Sequence, residues 1–86
     1  MFAVYVLESI KDGEYYTGYA KDIGRRLVEH NAGKVKSTRY RRPLKLVYRR
    51  DFETRREACK FEKFLKSPEG GPLKKKLVDD FENKVL

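Results

Sequence analysis

The sequence predicts a small α+β fold, with strands and helices in the order ββαβαα. Three observations lead to this prediction. An apolar run near the start is rich in residues that favour strands, an Asp-Gly turn signal follows it, and three later segments repeat apolar residues at helical spacing. With 86 residues, the chain is expected to form a single domain, residues 1–86, with one modest core.

The first two strands are predicted from the N-terminal segment. Residues 2–7 are apolar at every position, which is typical of a central strand covered on both faces. Asp12-Gly13 favours a tight hairpin, so residues 15–19 should return antiparallel to the first strand. Gly18 interrupts this second strand, and a glycine there indicates a bulge or a close approach to the backbone.

The third strand is predicted at residues 44–48. Leu44, Leu46 and Tyr48 alternate with Lys45 and Val47, which places the first three on one face. This pattern leaves the direction of the strand open.

Each predicted helix has a recognisable start or stop signal. Asp22 is a candidate N-cap for a helix that runs to about residue 32 and stops at Gly33. Residues 54–57, Thr-Arg-Arg-Glu, match a capping box at the start of a second helix. Pro72 fits the first turn of a last helix. The inner stripe of that helix should contain the residues that recur every four positions, namely Leu73, Leu77 and Phe81.

Charge and composition restrict the class of function. There are 21 Lys plus Arg against 13 Asp plus Glu, a formal net charge of +8 that favours polyanions such as nucleic acid. Simple solubility is the alternative. The lone Cys59 excludes an internal disulfide and is interpreted as a small buried residue. Because neither a targeting segment nor a membrane span is evident, we expect a cytoplasmic protein that does not bind membranes.

Two polar residues lie on the apolar face of the first helix. Ile23, Leu27 and His30 share this face at helical spacing, and Arg26 lies beside them. Polar groups on a core-facing stripe are candidates for function. The alternatives are that the stem of Arg26 packs while its guanidinium reaches water, and that His30 is a hydrogen-bonded structural residue.

Glu62 breaks the same rule on the second helix, where it lies with Ala58, Phe61 and Leu65. A carboxylate on a core-facing stripe costs several kcal/mol unless it is paired or binds a cation. The alternative is a residue at the edge of the stripe, paired with Lys66 at i+4.

A basic loop and several tyrosines add candidate binding residues. Lysines and arginines in residues 34–42 can neutralise phosphates, and the hydroxyl groups can donate hydrogen bonds to them. A solvated charge run is the alternative. A phenol can donate to a metal-bound water or stack on a base, although tyrosine is also common in strands. The loop residues predicted to bind nucleic acid are Lys36, Ser37, Thr38, Arg39, Tyr40, Arg41 and Arg42.

The order of these residues resembles the GIY-YIG nuclease domain over residues 2 to about 66. Ala3-Val4-Tyr5 stands at the first family triplet and Tyr16-Thr17-Gly18 at the second. Arg26 corresponds to the family arginine of the next helix, and Glu62 to the metal-binding glutamate. The chain is similar to the N-terminal domain of the repair protein UvrC, and more similar to small standalone bacterial proteins of this family.

The resemblance implies a small three-stranded antiparallel sheet flanked by helices, and a metal-dependent endonuclease acting in DNA repair or recombination. Glu62 would hold Mg²⁺ or Mn²⁺, and Arg26 would clamp the phosphate. Tyr5 or Tyr16 would orient or deprotonate the attacking water, with help from His30. Further nucleic-acid contacts are expected at Gly18, Lys21 and Arg25.

Two other hypotheses stay open on the sequence. One is a binding module with the same fold that cuts nothing and recognises branched DNA or structured RNA. The other is a subunit that works with a protein partner, which would supply specificity. The choice between DNA and RNA, the preference for branched or damaged sites, and the oligomeric state are not determined by the residues.

Overall fold

The structure is a computed structural model that describes the backbone of residues 1–85 and the side chains of residues 1–83. It contains a three-stranded antiparallel sheet in the order β2-β1-β3, together with helices on both faces. The predicted fold class and element order are therefore confirmed. The elements are β1 (Phe2–Ser9), β2 (Tyr15–Ala20), α1 (Ile23–Asn31), β3 (Leu44–Phe52), α2 (Arg55–Lys66) and α3 (Gly71–Val85), with a short 3₁₀ turn at Arg39–Arg41 before β3.

Strand β1 is the central strand, as its apolar run predicts, and its side chains supply a core on each face of the sheet. Val4 and Val6 belong to a core that is completed by α2 and α3, which we call the α2/α3-side core. Ala3, Tyr5 and Leu7 belong to the α1-side core, which Ile23 of α1 helps to close. Because successive side chains of a strand point to opposite faces, Tyr5 faces α1 while its neighbours face α2 and α3.

The connection between β1 and β2 is wider than the tight hairpin predicted at Asp12-Gly13. It spans residues 10–14 and is closed by Ser9, whose N–H donates to the Glu14 carbonyl at 2.9 Å. The Ser9 hydroxyl accepts from the Asp12 N–H at 3.2 Å, and the Asp12 carboxylate accepts from the Glu14 N–H at 2.8 Å. These side-chain bonds stabilise the longer turn, and Gly13 supplies the positive φ of 75°.

A bulge in β3 contradicts the simple alternation predicted for residues 44–48. Val6 pairs with Tyr48 whereas Leu7 pairs with Leu46, so Val47 is the extra residue on β3. Leu46 consequently packs in the α1-side core, and Val47 and Tyr48 pack in the α2/α3-side core. The third strand runs antiparallel to β1 and continues to Phe52.

The helix signals of α1 and α2 act as predicted. The Asp22 carboxylate accepts from the Arg25 N–H at the start of α1, and Gly33 follows its end with a φ of 79°. Thr54 and Glu57 form a complete capping box at the start of α2. Ala58 and Leu65 are the buried residues of α2, while Glu62 is half-buried on its inner side.

Two burial predictions need correction. Leu73 is exposed, and Val78 rather than Leu73 is the buried residue in the described part of α3, because Val78 is the one that faces the α2/α3-side core. Cys59 is half-buried rather than buried, because it lies beside Tyr19, which is itself half-buried. Within residues 1–85, no helix combines the length and the apolar character that crossing a membrane requires.

Candidate active site

The Tyr5 phenol lies at the centre of a buried polar cluster. Tyr5 is 3% exposed, and its Oη lies 3.0 Å from Nε2 of His30. On the neighbouring strand the residue opposite Tyr5 is Gly18. A Cβ at Gly18 would lie 2.7 Å from the Tyr5 Oη, a distance too short for non-bonded atoms. The close approach expected at Gly18 is therefore made by the Tyr5 side chain.

His30 links this phenol to the basic loop. Its ring is fully buried, and Nδ1 lies 2.8 Å from the hydroxyl of Thr38, which is also fully buried. Burial lowers the pKa of His30, and the nearby Arg26 charge lowers it further. The imidazole is therefore neutral near pH 7, so one ring nitrogen donates a proton and the other accepts one.

Tyr16 lies against the same cluster. Its ring centroid is 5.1 Å from that of His30 and 6.4 Å from that of Tyr5. Tyr16 is half-buried whereas Tyr5 is buried, so the Tyr16 ring forms the outer wall of the cluster.

Arg26 supplies the positive charge beside the phenol. Its interaction with the Tyr5 hydroxyl is the main reason that the pKa of Arg26 is raised. The Arg26 Nη1 also donates to the Glu29 carboxylate at 3.1 Å. Arg26 is half-buried and its side chain is 39% exposed, so the guanidinium is held in place yet remains accessible to a ligand.

Burial and charge act in opposite directions on Tyr5. Burial raises the pKa of the phenol above its ordinary value, and the hydrogen-bonding interaction with Arg26 opposes that rise. Burial has the larger effect, so Tyr5 is protonated near neutral pH. Arg26 thus lowers the pKa of the phenol but does not outweigh burial.

Glu62 approaches the cluster from the opposite face of the sheet. It lies on α2, its side chain is 14% exposed, and its Oε2 lies 3.3 Å from the Lys66 ammonium. The pairing considered as the alternative from the sequence is therefore present. The Glu62 charge still raises the pKa of Tyr5, although its effect is much smaller than that of burial. The charge of Glu62 therefore acts on the Tyr5 phenol, but the hydrogen bond of Glu62 is to Lys66 and not to the cluster.

Glu62 could offer one carboxylate to a hard divalent cation. In residues 1–85, no three His, Cys, Asp or Glu side chains lie close enough together to hold a metal. A protein site for Mg²⁺ commonly uses one or two carboxylates and completes the shell with water and substrate phosphate oxygens. A carboxylate that is half-buried and paired with the largely exposed ammonium of Lys66 is compatible with such a site.

The basic loop contains both exposed and internal residues. Lys36, Ser37, Arg39 and Arg42 are exposed, and Tyr40 is 78% exposed. Arg41 is half-buried beside the Asp12 carboxylate at 3.6 Å, which limits its freedom to bind a phosphate.

Thr38 requires a correction. Its side chain is fully buried and bonded to His30, so it is not available to a phosphate in this conformation. The hydroxyl instead attaches the loop to the cluster.

Of the remaining predicted contacts, Gly18 is buried against the Tyr5 phenol and is not accessible to a nucleic acid, whereas the other two lie on the surface around α1. Lys21 and Arg25 are exposed, and Arg25 is paired with Glu29 at 3.5 Å. Glu29 therefore holds two arginines, a role that the sequence analysis missed. The i+3 and i+4 spacings to Arg26 and Arg25 were the available signal.

The protein is thus a small α+β fold in which the polar cluster around Tyr5 lies on one face of the sheet and Glu62 lies on the other. The chain matches the sequence model of the GIY-YIG catalytic domain over residues 1–84. The protein therefore belongs to the GIY-YIG family, which is a nuclease family.

Several UPF0213 proteins are similar to this chain. The chain is 48% identical over 65 residues to UPF0213 protein SSP2268 of Staphylococcus saprophyticus, covering 74% of this chain and 78% of that protein. It is 42% identical over 84 residues to a UPF0213 protein of Streptococcus pneumoniae, and the match covers 96% of this chain and 83% of that protein. The solution NMR structure of UPF0213 protein BH0048 from Bacillus halodurans is similar with a TM-score of 0.54 and 41% identity, covering 92% of this chain and 84% of that chain.

Proposed function

We propose that this protein is a divalent-metal-dependent endonuclease that hydrolyses nucleic-acid phosphodiester bonds, with DNA as the expected substrate. The observation that carries the proposal is that the buried pair of Tyr5 and His30, whose Oη and Nε2 atoms lie 3.0 Å apart, has the half-exposed guanidinium of Arg26 beside it. A purely structural cluster would not need a guanidinium that remains accessible beside a buried phenol.

The hydrogen bonds of the cluster suggest how a neutral tyrosine could assist a water molecule. A guanidinium only donates, so the phenol oxygen can accept from Arg26 while its O–H donates to His30 Nε2. His30 then carries its proton on Nδ1 and donates to Thr38. Water could pass a proton to the Tyr5 oxygen as the Tyr5 proton moves to His30, so no free phenolate would be required.

This relay leaves a positive imidazolium close to Arg26, which is unfavourable in the absence of substrate. A phosphate bound to Arg26 would offset that repulsion with its negative charge. The relay would therefore operate mainly when substrate is present, and Arg26 would stabilise charge that gathers on the phosphate oxygens.

Glu62 is the proposed ligand for Mg²⁺ or Mn²⁺. Such an ion, when bound, would polarise a phosphodiester oxygen and stabilise the leaving oxygen. Before an ion binds, Lys66 partly neutralises the carboxylate, which lowers the cost of keeping Glu62 half-buried.

The exposed cations of the basic loop are the proposed backbone contacts. Lys36, Arg39 and Arg42 lie on the loop that Thr38 attaches to His30. Phosphates bound along this loop would be positioned near the Tyr5 cluster. The phosphate backbone is common to DNA and RNA, so these contacts favour binding without fixing the sequence or structure that is recognised.

A cleavage panel tests the proposal. Duplex, single-stranded, nicked and branched DNA, together with RNA, would be incubated with the protein and Mg²⁺ or Mn²⁺. We expect cleavage of at least one DNA, loss of cleavage in EDTA, and loss of cleavage with Glu62→Gln while DNA binding persists. Glu69→Gln, which changes an exposed glutamate beyond α2, is the matched control and should cut at the wild-type rate.

Three outcomes would count against parts of the proposal. Wild-type rates from Glu62→Gln would exclude Glu62 as a metal ligand. Salt-sensitive binding without turnover under any of the metals would favour the alternative, a non-catalytic nucleic-acid-binding module. Copurification with a stable protein partner that confers cleavage would instead favour a subunit role.

A further inference from the structure

Lys74 lies in the first turns of α3 and reaches strand β2 with its side chain, and its exposure differs from that of the next two lysines. Lys74 is half-buried, whereas Lys75 and Lys76 are exposed. Its ammonium donates to the Thr17 hydroxyl at 3.3 Å. Thr17 is buried in β2 between Tyr16 and Gly18, so this bond attaches α3 to the strand that supports the candidate active site.

The charge environment of Lys74 is unbalanced. In the part of the chain whose side chains are described, Lys74 forms no ion pair with a carboxylate. Its pKa is lowered, first by burial and then by the positive charge of Lys66. Lys66 in turn is paired with Glu62 at 3.3 Å. The positive charge that acts on Lys74 therefore belongs to a lysine that already has a carboxylate partner.

Holding a half-buried ammonium near a second one is unfavourable unless an anion offsets it. The long side chain of Lys74 would allow its ammonium to reach solvent in another rotamer. The ammonium is instead hydrogen-bonded to the Thr17 hydroxyl. An anionic ligand would bind Lys74 favourably, because it would offset the repulsion between Lys74 and Lys66. It would also replace the neutral Thr17 hydroxyl with a charged hydrogen-bond acceptor.

We propose that Lys74 binds a backbone phosphate of the nucleic-acid substrate on the α3 side of β2, across the edge strand from Arg26. The inference rests on the proposed function, since it assigns a second phosphate to the same substrate. A lysine binds phosphate as a point charge and does not require bidentate geometry. Lys66 contributes to the local positive potential, and Thr17 keeps the Lys74 head at the edge of the site.

Binding in the absence of metal tests the inference without requiring cleavage. The full chain and Lys74→Met would be titrated, in EDTA, into a short fluorescein-labelled duplex DNA over a range of NaCl concentrations, with anisotropy as the readout. Methionine keeps the apolar stem and removes the charge. We expect affinity to fall about tenfold at low salt, and the slope of log K against log salt to become less steep by about 0.9, the value for one lost phosphate contact.

Lys76→Met is the matched control, because it removes the same charge from an exposed position on the same helix. It should change affinity less than Lys74→Met, and should change the salt slope little. Thr17→Val keeps both charges and removes the anchor, so it should weaken binding by less than Lys74→Met does. Thermal melts followed by circular dichroism would show that the variants are folded.

Equal effects of Lys74→Met and Lys76→Met would overturn the inference, since any lysine would then serve. Absence of DNA binding by the wild-type chain would overturn it as well. A chain that binds DNA through Lys74 but cuts nothing with Mg²⁺ or Mn²⁺ would refute the proposed function and leave the Lys74 contact standing.

Discussion

Replacing Gly18 with alanine tests whether the Tyr5 phenol must lie where it does. The new Cβ would lie 2.7 Å from Tyr5 Oη, 2.9 Å from Tyr5 Cζ and 3.2 Å from Tyr16 Cε2. Tyr5 is buried and bonded to His30, so its ring has little room to move away. We expect the phenol to shift by about half an ångström or more, because overpacked cores respond by moving side chains.

The stability cost follows from two opposing effects. Overpacking costs about 1–3 kcal/mol, and removing glycine from a strand returns about 0.5–1 kcal/mol. The net loss is therefore about 0–2.5 kcal/mol, which lowers Tm by up to about 20 °C for a domain of this size. Misplacement of a catalytic group by about 1 Å can reduce the rate by about a hundredfold. We expect cleavage to fall by about ten- to a hundredfold at temperatures where the variant is fully folded.

The assay combines single-turnover cleavage with the ¹⁵N chemical shifts of the His30 ring, which report the bond between Nε2 and Tyr5. Gly24→Ala is the control, because its Cβ would meet only the Asp22 carboxylate at an ordinary 3.6 Å. Alanine also favours the helix at that position. A Gly18→Ala variant with wild-type cleavage and unchanged His30 shifts would refute the reasoning.

Two further predictions concern the same cluster. Thr38→Val leaves Nδ1 of His30 without its partner, so the free energy of unfolding should fall by about 1–3 kcal/mol in urea denaturation. Ser37→Ala, at the exposed neighbouring position, is the control and should change it by less than about 0.5 kcal/mol. Equal effects of the two substitutions would contradict the buried bond between Thr38 and His30. Because the pKa of His30 is lowered in the folded state, the unfolded chain binds more protons just below its ordinary pKa of about 6.5. Stability should therefore be constant near pH 7 and decrease as pH falls from about 6.5 towards 5, by at most about 1.4 kcal/mol per pH unit. A stability that rises over that interval would contradict a neutral buried imidazole, and the assignment is simple because the chain has one histidine.

Local rules predicted the elements that depend on local chemistry. The capping box at Thr54 and the N-cap at Asp22 act through neighbours in sequence, so their residue types were sufficient. Arg26 and Glu62 were recognisable because each places charge on a helical face that is otherwise apolar. The proximity of Tyr5 and Tyr16 was suggested by the family resemblance, since tyrosine alone is common in strands.

The features that sequence reasoning missed depend on contacts between distant elements. The bulge at Val47 arises from the register between β1 and β3, which alternation along β3 does not reveal. The burial of Thr38 depends on His30 lying beneath the loop. Lys74 resembled the exposed lysines that follow it, and its bond to Thr17 joins α3 to β2.

The most direct test of the account is single-turnover cleavage by Tyr5→Phe, compared with Tyr48→Phe. Both tyrosines are buried, but Tyr48 packs in the α2/α3-side core, away from His30. The account predicts that Tyr5→Phe binds DNA normally and cuts at least about a hundredfold more slowly, in the range of general acid–base effects, while Tyr48→Phe cuts at nearly the wild-type rate. Equal cleavage rates for wild type and Tyr5→Phe would contradict it.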